Sequence, residues 1–396
     1  MPATRTSRHG RVRRRRLRRA TALVALAVTS FSVTFGVAAY AELQRRVDTL
    51  DIGGLVTAQT ADASADGAHP EDPNAGRALD ILVIGSDSRS DGAVQDEVTS
   101  ELADTHLLVH VSADRSRVEL VSIPRDVMVD VPACTTTGGE TIPARFDQFN
   151  SAFAVGASVG GDLTSAVACD VELVQSVTGL TLDGFVVVQM GGFIEVVDAL
   201  GGVDICIPAP LDVPKASLAL QAGQQRLDGT QALAYARARV GVGDGSDPDR
   251  IARQQHLLAA MVEEVLSRNV LADAPALYQV VAATLGSLTT SPNLASIPEM
   301  VSLGLSLRSV GPGNVTFMTT PFEEYEAEPG RLVFTDGVEV LWESLAADVP
   351  LASPPVSPSA PPSAGEAATT PPAADDPDAA TEPPPDNSAE ALDAEC

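Results

Sequence analysis

The stretch Asp80-Ile81-Leu82-Val83-Ile84-Gly85-Ser86-Asp87-Ser88-Arg89 decides how this chain folds. An apolar run of strand length stops at a glycine and delivers an aspartate and an arginine at its carboxyl end. That is where open α/β sheets bind their ligands. Two more polar clusters are set against apolar runs: Ser122-Ile123-Pro124-Arg125-Asp126 and Ala234-Tyr235-Ala236-Arg237-Ala238-Arg239. Carboxylates and arginines gathered in this way suit a metal-assisted site for a phosphorylated substrate.

Working outward, apolar patterning predicts strands at 79–84, 106–111, 117–123, 184–190 and 203–207, and helices at 165–178, 192–200, 229–234, 249–268 and 274–287. The second and third strands bracket Ser112-Ala113-Asp114-Arg115-Ser116, a loop of hairpin length. Gly201-Gly202 stops the helix before it at 200, as a C-terminal glycine does. Asp228 followed by Gln231 has the spacing of a capping box. Strands interleaved with helices predict an α/β sandwich.

The flanks are different material. Residues 1–19 carry nine arginines and no acid, and 20–40 form a 21-residue stretch without a charge. About 20 apolar residues span a bilayer core. The expectation is a basic cytoplasmic segment (1–19), a single transmembrane helix (20–40) and everything beyond it outside the cell membrane, by the positive-inside rule. A cleaved signal peptide ending at Ala39-Tyr40-Ala41 is the alternative. Residues 41–77, rich in Ala, Asp and Gly, read as an extracytoplasmic stalk, and 78–348 as the folded domain. The tail, 349–396, holds 12 of the 28 prolines and nine acids with no Lys or Arg, so it lacks the apolar surface needed to offset ordering and reads as disordered.

The net charge of −27 argues against a nucleic-acid partner, which would demand a basic face. Among the cysteines, one disulfide pair is expected from Cys134, Cys169 and Cys206, with three pairings open. None has the spacing of a zinc site.

Each polar cluster has a plain structural reading beside the functional one. Asp87 and Asp104 offer hard oxygen ligands for Mg²⁺ beside phosphate, or they are a turn cap and a loop carboxylate. Arg125 grips an anion, or pairs with Asp126. Arg237 and Arg239, two apart, face the same way in an extended segment and suit a phosphate, or they are surface residues. Asp249-Arg250-Ile251-Ala252-Arg253-Gln254-Gln255 opens an amphipathic helix whose apolar stripe is Ile251, Leu258, Met261, Val262 and Val265. Arg250 and Gln254 lie one turn apart near its N-terminus, where an anion is favoured, or they form a solvated polar face.

Taken together, these blocks resemble the LytR-CpsA-Psr family of cell-wall glycopolymer ligases, of actinobacterial type. The resemblance covers roughly 78–345 and also takes in Phe149-Asn150-Ser151-Ala152-Phe153, Val197-Asp198-Ala199-Leu200-Gly201-Gly202-Val203 and Leu227-Asp228-Gly229-Thr230-Gln231. It implies an α-β-α fold, a mixed central sheet sandwiched by helices, with an apolar tunnel for a polyprenyl chain. By the same resemblance, Asp87 and Asp104 hold Mg²⁺. The pyrophosphate is bound by Arg125, Arg237, Arg239, Arg250 and Gln254, and the catalytic set is Asp87, Arg125, Arg237 and Arg239. Many members carry an arginine two residues before the second aspartate; this chain has Leu102, so that contact is missing or supplied by Arg89. The implied reaction attaches a polyprenyl-pyrophosphate-linked glycan (arabinogalactan, teichoic acid or capsule) to peptidoglycan through a phosphodiester, at the cytoplasmic membrane. A polyprenyl-pyrophosphate hydrolase needs the same grip, and a non-catalytic lipid-binding or regulatory membrane protein is the alternative from another class.

Overall fold

The computed structural model describes residues 47–56, 74–87, 102–208, 210–213, 218–238, 247–267, 284 and 288–351. The chain divides into two units, Met1–Val47 and Asp48–Cys396, and the fold belongs to the second. The basic segment, the expected transmembrane helix 20–40 and the tail beyond residue 351 lie outside the described residues, as does the helix expected at 274–287 apart from Thr284. Among the described residues no helix is long and apolar enough to cross a membrane.

Seven strands form one mixed sheet: β1 (Asp48–Thr49), β2 (Leu79–Ser86), β3 (Ala103–Val111), β4 (Val118–Ile123), β5 (Gly184–Gln189), β6 (Leu288–Thr290) and β7 (Val315–Thr319). Their spatial order is β1-β6-β5-β2-β3-β4-β7. β2 runs parallel to β5 and antiparallel to β3, and β3 and β4 make the expected hairpin from His106↔Ile123 to Val111↔Val118. The helices are α1 (Ser151–Gly160), α2 (Leu163–Thr178), α3 (Met190–Ala199), α4 (Gly229–Arg237), α5 (Asp247–Ser267), α6 (Ile297–Ser306) and α7 (Gly337–Ala346).

The sheet is buried on both faces, which is why β2 reads as an unbroken apolar run. Leu82 and Ile84 join Leu108, Val121, Phe185 and Val187 against Phe153, Leu173 and Trp342 of α1, α2 and α7. On the other face Val83, Leu107, Leu120 and Phe317 meet Leu258 and Ala259 of α5. The expected α/β sandwich is therefore present. The strand expected at 203–207 exists but stands outside the main sheet. It pairs antiparallel with Gly223–Leu227, and this ribbon shares a second core with α3, α4 and Leu257.

Helix ends follow local chemistry. Leu200 caps α3 before Gly201 and Gly202, both at positive φ, and the capping box of Asp228 and Gln231 opens α4. Both hydrogen bonds of that box are made (2.8 and 3.1 Å). Two sequence expectations change. Part of the segment read as stalk belongs to the domain: β1 adds to the sheet edge, and Leu50, Ile52, Leu55 and Val56 pack into the main core. Val265, expected in the apolar stripe of α5, is 42% exposed, because the helix turns its Leu257–Ala259–Ala260 side inward there. α1, β6, β7, α6 and α7 were not legible, being short or glycine- and alanine-rich segments that depend on neighbours for burial.

The disulfide joins Cys134 to Cys169 of α2, with Cα atoms 5.2 Å apart, and closes 35 residues that include α1. Cys206 is buried and is not a free thiol either.

At the sheet end remote from Gly85, a partly buried network centred on the buried His110 ties β2 and β3 to the segment after α7. His110 Nδ1 lies 2.7 Å from Asp80 Oδ1 and Nε2 3.2 Å from Asp348 Oδ1, while Arg117 pairs with Asp348. Burial alone lowers the His110 pKa, but the hydrogen bond and charge of Asp80, then Asp348, outweigh it and leave it raised above 6.5. Burial alone raises the Asp348 carboxyl, but the Ala113 N–H, His110 and Arg117 outweigh it and leave it below 3.8. The His110 contribution to stability is fully present below 6.5 and is lost as pH rises through its raised value. The Asp348 contribution is present above 3.8 and is lost as pH falls through its lowered value. The clasp is therefore strongest in weak acid. Thermal denaturation at about pH 5.5 and about pH 8.5 should show a stability difference favouring acid that shrinks in His110→Asn; an unchanged difference would remove this pair from the account.

Candidate active site

The site grows from a defect in the β2–β3 ladder. Pairing runs in step up to Gly85↔Thr105, then shifts, so that Ser86 faces Ala103 and Asp104 is the extra residue. A β-bulge re-aims side chains in this way, and bulges gather beside active sites. Asp104 would otherwise alternate away from Thr105; instead both line the same cavity. Gly85 is required opposite Thr105, because a Cβ there would stand 2.9 Å from the Thr105 Cβ. Beyond the bulge the Asp87 N–H donates to the Leu102 carbonyl (3.0 Å), and the Leu102 N–H returns to Asp87 Oδ1 (2.6 Å). The turn-cap reading of Asp87 is thus satisfied by one oxygen, while the residue also lines the cavity.

The cavity, about 390 Å³, lies between the sheet and helices α3, α4 and α5. Val83, Leu107, Val188, Met190, Phe193, Leu233, Leu257 and Leu258 make its walls apolar. Its polar part includes Asp87, Asp104, Arg125, Arg237, Arg250 and Gln254, six of the residues singled out from the sequence, with Ser86, Thr105 and Gln189 beside them. Leu102, where the resemblance leads one to look for an arginine, adds apolar surface to the wall.

Asp104 organises the cations. Arg125 Nη1 donates to its Oδ1, Arg250 Nη2 donates to its carbonyl oxygen (2.8 Å), and Arg250 Nη1 stands 3.8 Å from Oδ1. Arg125 also lies 3.5 Å from Asp126, so the local salt bridge exists and is longer than the pair with Asp104. Arg250 is 3% exposed, which removes the solvated-face reading for it. Gln254 receives the Thr105 hydroxyl at 3.4 Å.

Arg237 departs from expectation. It ends α4 instead of sitting in an extended segment, and extended backbone begins only at Ala238 (φ −59°, ψ 129°). A cation in the last helical turn is favoured by the exposed carbonyls there. Arg237 is exposed at the cavity and makes no ion pair with a described residue. Arg89 and Arg239 lie outside the described residues.

Two positioning residues were not assigned from sequence. Arg253, buried, donates to the Ala238 carbonyl and so holds the end of α4 that carries Arg237. Gln255 Nε2 bonds Ser122 Oγ, the Met318 carbonyl and Thr319 Oγ1 (3.0–3.1 Å), fastening α5 to β4 and β7. Beneath the site, His106 and Asp170 form a fully buried pair (3.0 Å) that pins β3 to α2. Polar residues on an otherwise apolar helix or strand face were the available signal for all three.

Among the described lining residues, three guanidiniums and two carboxylates gather at the end of an apolar chamber, with Asp126 behind Arg125. Such a site accepts an anionic group attached to a hydrophobic one. An α/β sandwich with this chamber over the central strands β5, β2 and β3 is the class of protein observed. The LytR_cpsA_psr family model matches residues 53–343, and the chain belongs to that family. It is 32% identical over 263 residues to the cell wall biosynthesis protein LcpA of Corynebacterium glutamicum, covering 62% of this chain and 50% of that protein. It is 27% identical to the polyisoprenyl-teichoic acid–peptidoglycan teichoic acid transferase TagU of Enterococcus faecalis, covering 58% and 65%. The chain thus spans about half the length of LcpA. The LytR-Csp2A-Psr enzyme from Actinomyces oris shares the fold, with a TM-score of 0.53, 19% identity, and coverage of 76% of this chain and 96% of that one.

Gly85→Ala should cost about 1–3 kcal/mol, the usual range for forced overpacking. The exchange Gly85→Ala/Thr105→Gly should cost less than the sum of its single changes when thermal denaturation is compared across the cycle. Strict additivity would mean that the close approach is not what selects glycine.

Proposed function

We propose that this protein transfers a glycopolymer from a polyprenyl-pyrophosphate carrier to peptidoglycan, forming a phosphodiester and releasing polyprenyl phosphate. The observation that carries this reading is the joining of an apolar chamber to an arginine–carboxylate cluster in one cavity. The names of relatives, a teichoic acid transferase among them, support it. The anchor at 20–40 would hold the domain at the outer face of the cytoplasmic membrane.

In this reading the prenyl chain occupies the space between Val83, Leu107, Phe193 and Leu258, and the pyrophosphate meets Arg125, Arg237 and Arg250. A peptidoglycan hydroxyl attacks the glycan-side phosphorus. The bond from that phosphorus to the bridging oxygen breaks, and the hydroxyl proton passes to solvent. Charge develops on the bridging and non-bridging oxygens, where preorganised guanidiniums act most strongly in a water-poor cavity. Asp104 holds Arg125 and Arg250 in place before substrate arrives. Asp87 and Asp104 give the cavity two hard carboxylate donors, which fits Mg²⁺ sharing its shell with phosphate oxygens. The ion, when bound, would neutralise part of the phosphate charge. The Leu102 N–H holds Asp87 Oδ1 and so fixes the carboxylate at the cavity wall.

The test is the full chain in detergent with Mg²⁺, a short prenyl-pyrophosphate-linked sugar and peptidoglycan fragments, read by mass spectrometry. Phosphodiester product should form, and Arg237→Ala should lower turnover by about 10²–10³ without lowering the melting temperature. Sugar phosphate alone would establish a hydrolase. Bound, unturned lipid would establish a binding protein.

A further inference from the structure

We propose that Phe146 and Tyr325 form a sugar-stacking shelf that holds the peptidoglycan glycan strand as acceptor beside the reacting phosphate; this rests on the ligase reading above. Phe146 is 52% exposed, and every other large apolar residue so exposed among the described ones is aliphatic. An exposed aromatic ring loses little by waiting for a ligand and gains an apolar face to offer it. Its ring stands edge-on to that of Tyr325, with centroids 6.1 Å apart and planes at 65°. The half-buried Tyr325 thereby fixes the orientation of the exposed ring.

The surroundings suit a pyranose. Phe146 lies on the hairpin Met128–Val131/Arg145–Gln148, directly opposite Asp130, and Gln148 is two residues along opposite Met128. Cross-strand partners and residues two apart share a face. One face therefore presents a ring flanked by an exposed carboxylate and an amide. The ring takes the C–H face of a sugar, and the polar groups take its hydroxyls.

The shelf is continuous with the site. Arg331 of the strand pair Phe322–Glu324/Leu332–Phe334 reaches Asp126 (3.4 Å), and Asp126 is the neighbour of Arg125. The Leu332 N–H donates to the Asp126 carbonyl (3.2 Å), and the Tyr325 N–H to that of Arg331 (2.8 Å). From Asp126 to Asp130 the chain covers at most about 14 Å, so the ring stands a few sugar units from the phosphate. None of the shelf residues lines the apolar cavity. In-line transfer brings the nucleophile from the side opposite the leaving group. With polyprenyl phosphate leaving into the chamber, the acceptor comes from outside it, where the shelf lies. That geometry selects the acceptor strand over the donor glycan.

The experiment is acceptor-titration kinetics of the full chain with Phe146→Ala, Phe146→Trp and Tyr325→Ala, alongside co-sedimentation with insoluble peptidoglycan without donor. Phe146→Ala should raise KM for the acceptor about tenfold, with kcat and the donor KM within about twofold. Phe146→Trp should restore the acceptor KM, and Tyr325→Ala should raise it less. Phe146→Ala should also reduce co-sedimentation. A raised donor KM in place of the acceptor KM, or no change in either, overturns the shelf while leaving the ligase reading intact. Co-sedimentation that depends on Phe146 in a protein without turnover supports the shelf and overturns the ligase reading.

Discussion

Everything at this site depends on how β2 meets β3. The two strands approach closely enough that only glycine fits at position 85, and the ladder then slips by one residue at Asp104. A regular ladder would send Asp104 to the opposite face from Thr105. The slip sets it in the cavity wall and brings Asp87 and Leu102 together across the strand ends. Both carboxylates therefore reach one chamber although they come from different strands. Of the two bonds that close the slip, one is backbone–backbone and the other runs from the Leu102 N–H to the Asp87 carboxylate, which ties that carboxylate to the strand ends.

The cations are then arranged around that fixed point. Arg125 comes from the turn after β4 and Arg250 from α5, and Asp104 contacts both. Two guanidiniums brought so near would repel without the carboxylate between them. With it, they are held ready for a second anion. Arg237 is the complement: it ends a helix without an ion pair to a described residue, and its position is set indirectly through Arg253. Such an arrangement combines a prepaired cluster with a cation that makes no ion pair to a described residue, a combination suited to an anion.

The helix layer is as much a part of the site as the strands. Gln255 fastens α5 to two strands, the buried His106–Asp170 pair fastens β3 to α2, and the disulfide fastens α2 to the segment carrying Cys134. These contacts join the site to both faces of the sandwich. The far end of the sheet is closed separately by the network of Asp80, His110, Arg117 and Asp348, which joins β2 and β3 to the segment after α7.

Much of this was legible in the residues. β2 announced itself because a strand buried on both faces must be continuously apolar, and the hairpin because its loop is short. The helix of Arg250 and the caps at Asp228 and Gly201 follow local rules that need no partner. Asp87, Asp104, Arg125, Arg237, Arg250 and Gln254 were candidates as polar residues beside apolar runs, and the resemblance to the family singled them out as a set. Tertiary structure alone decided the rest. It made Asp104 a bulge, which depends on the register of a partner strand. It chose Cys134–Cys169 from three possible pairings, since a disulfide depends on distance and not on spacing. It ended α4 at Arg237, drew the 47–56 segment into the core, and left Phe146 exposed against Tyr325, 179 positions away in the chain. The sequence by itself determined the segments and the chemistry they carry, because those follow from local patterning. Which groups face one another was decided only when the sheet closed, because contact between distant residues is a property of packing.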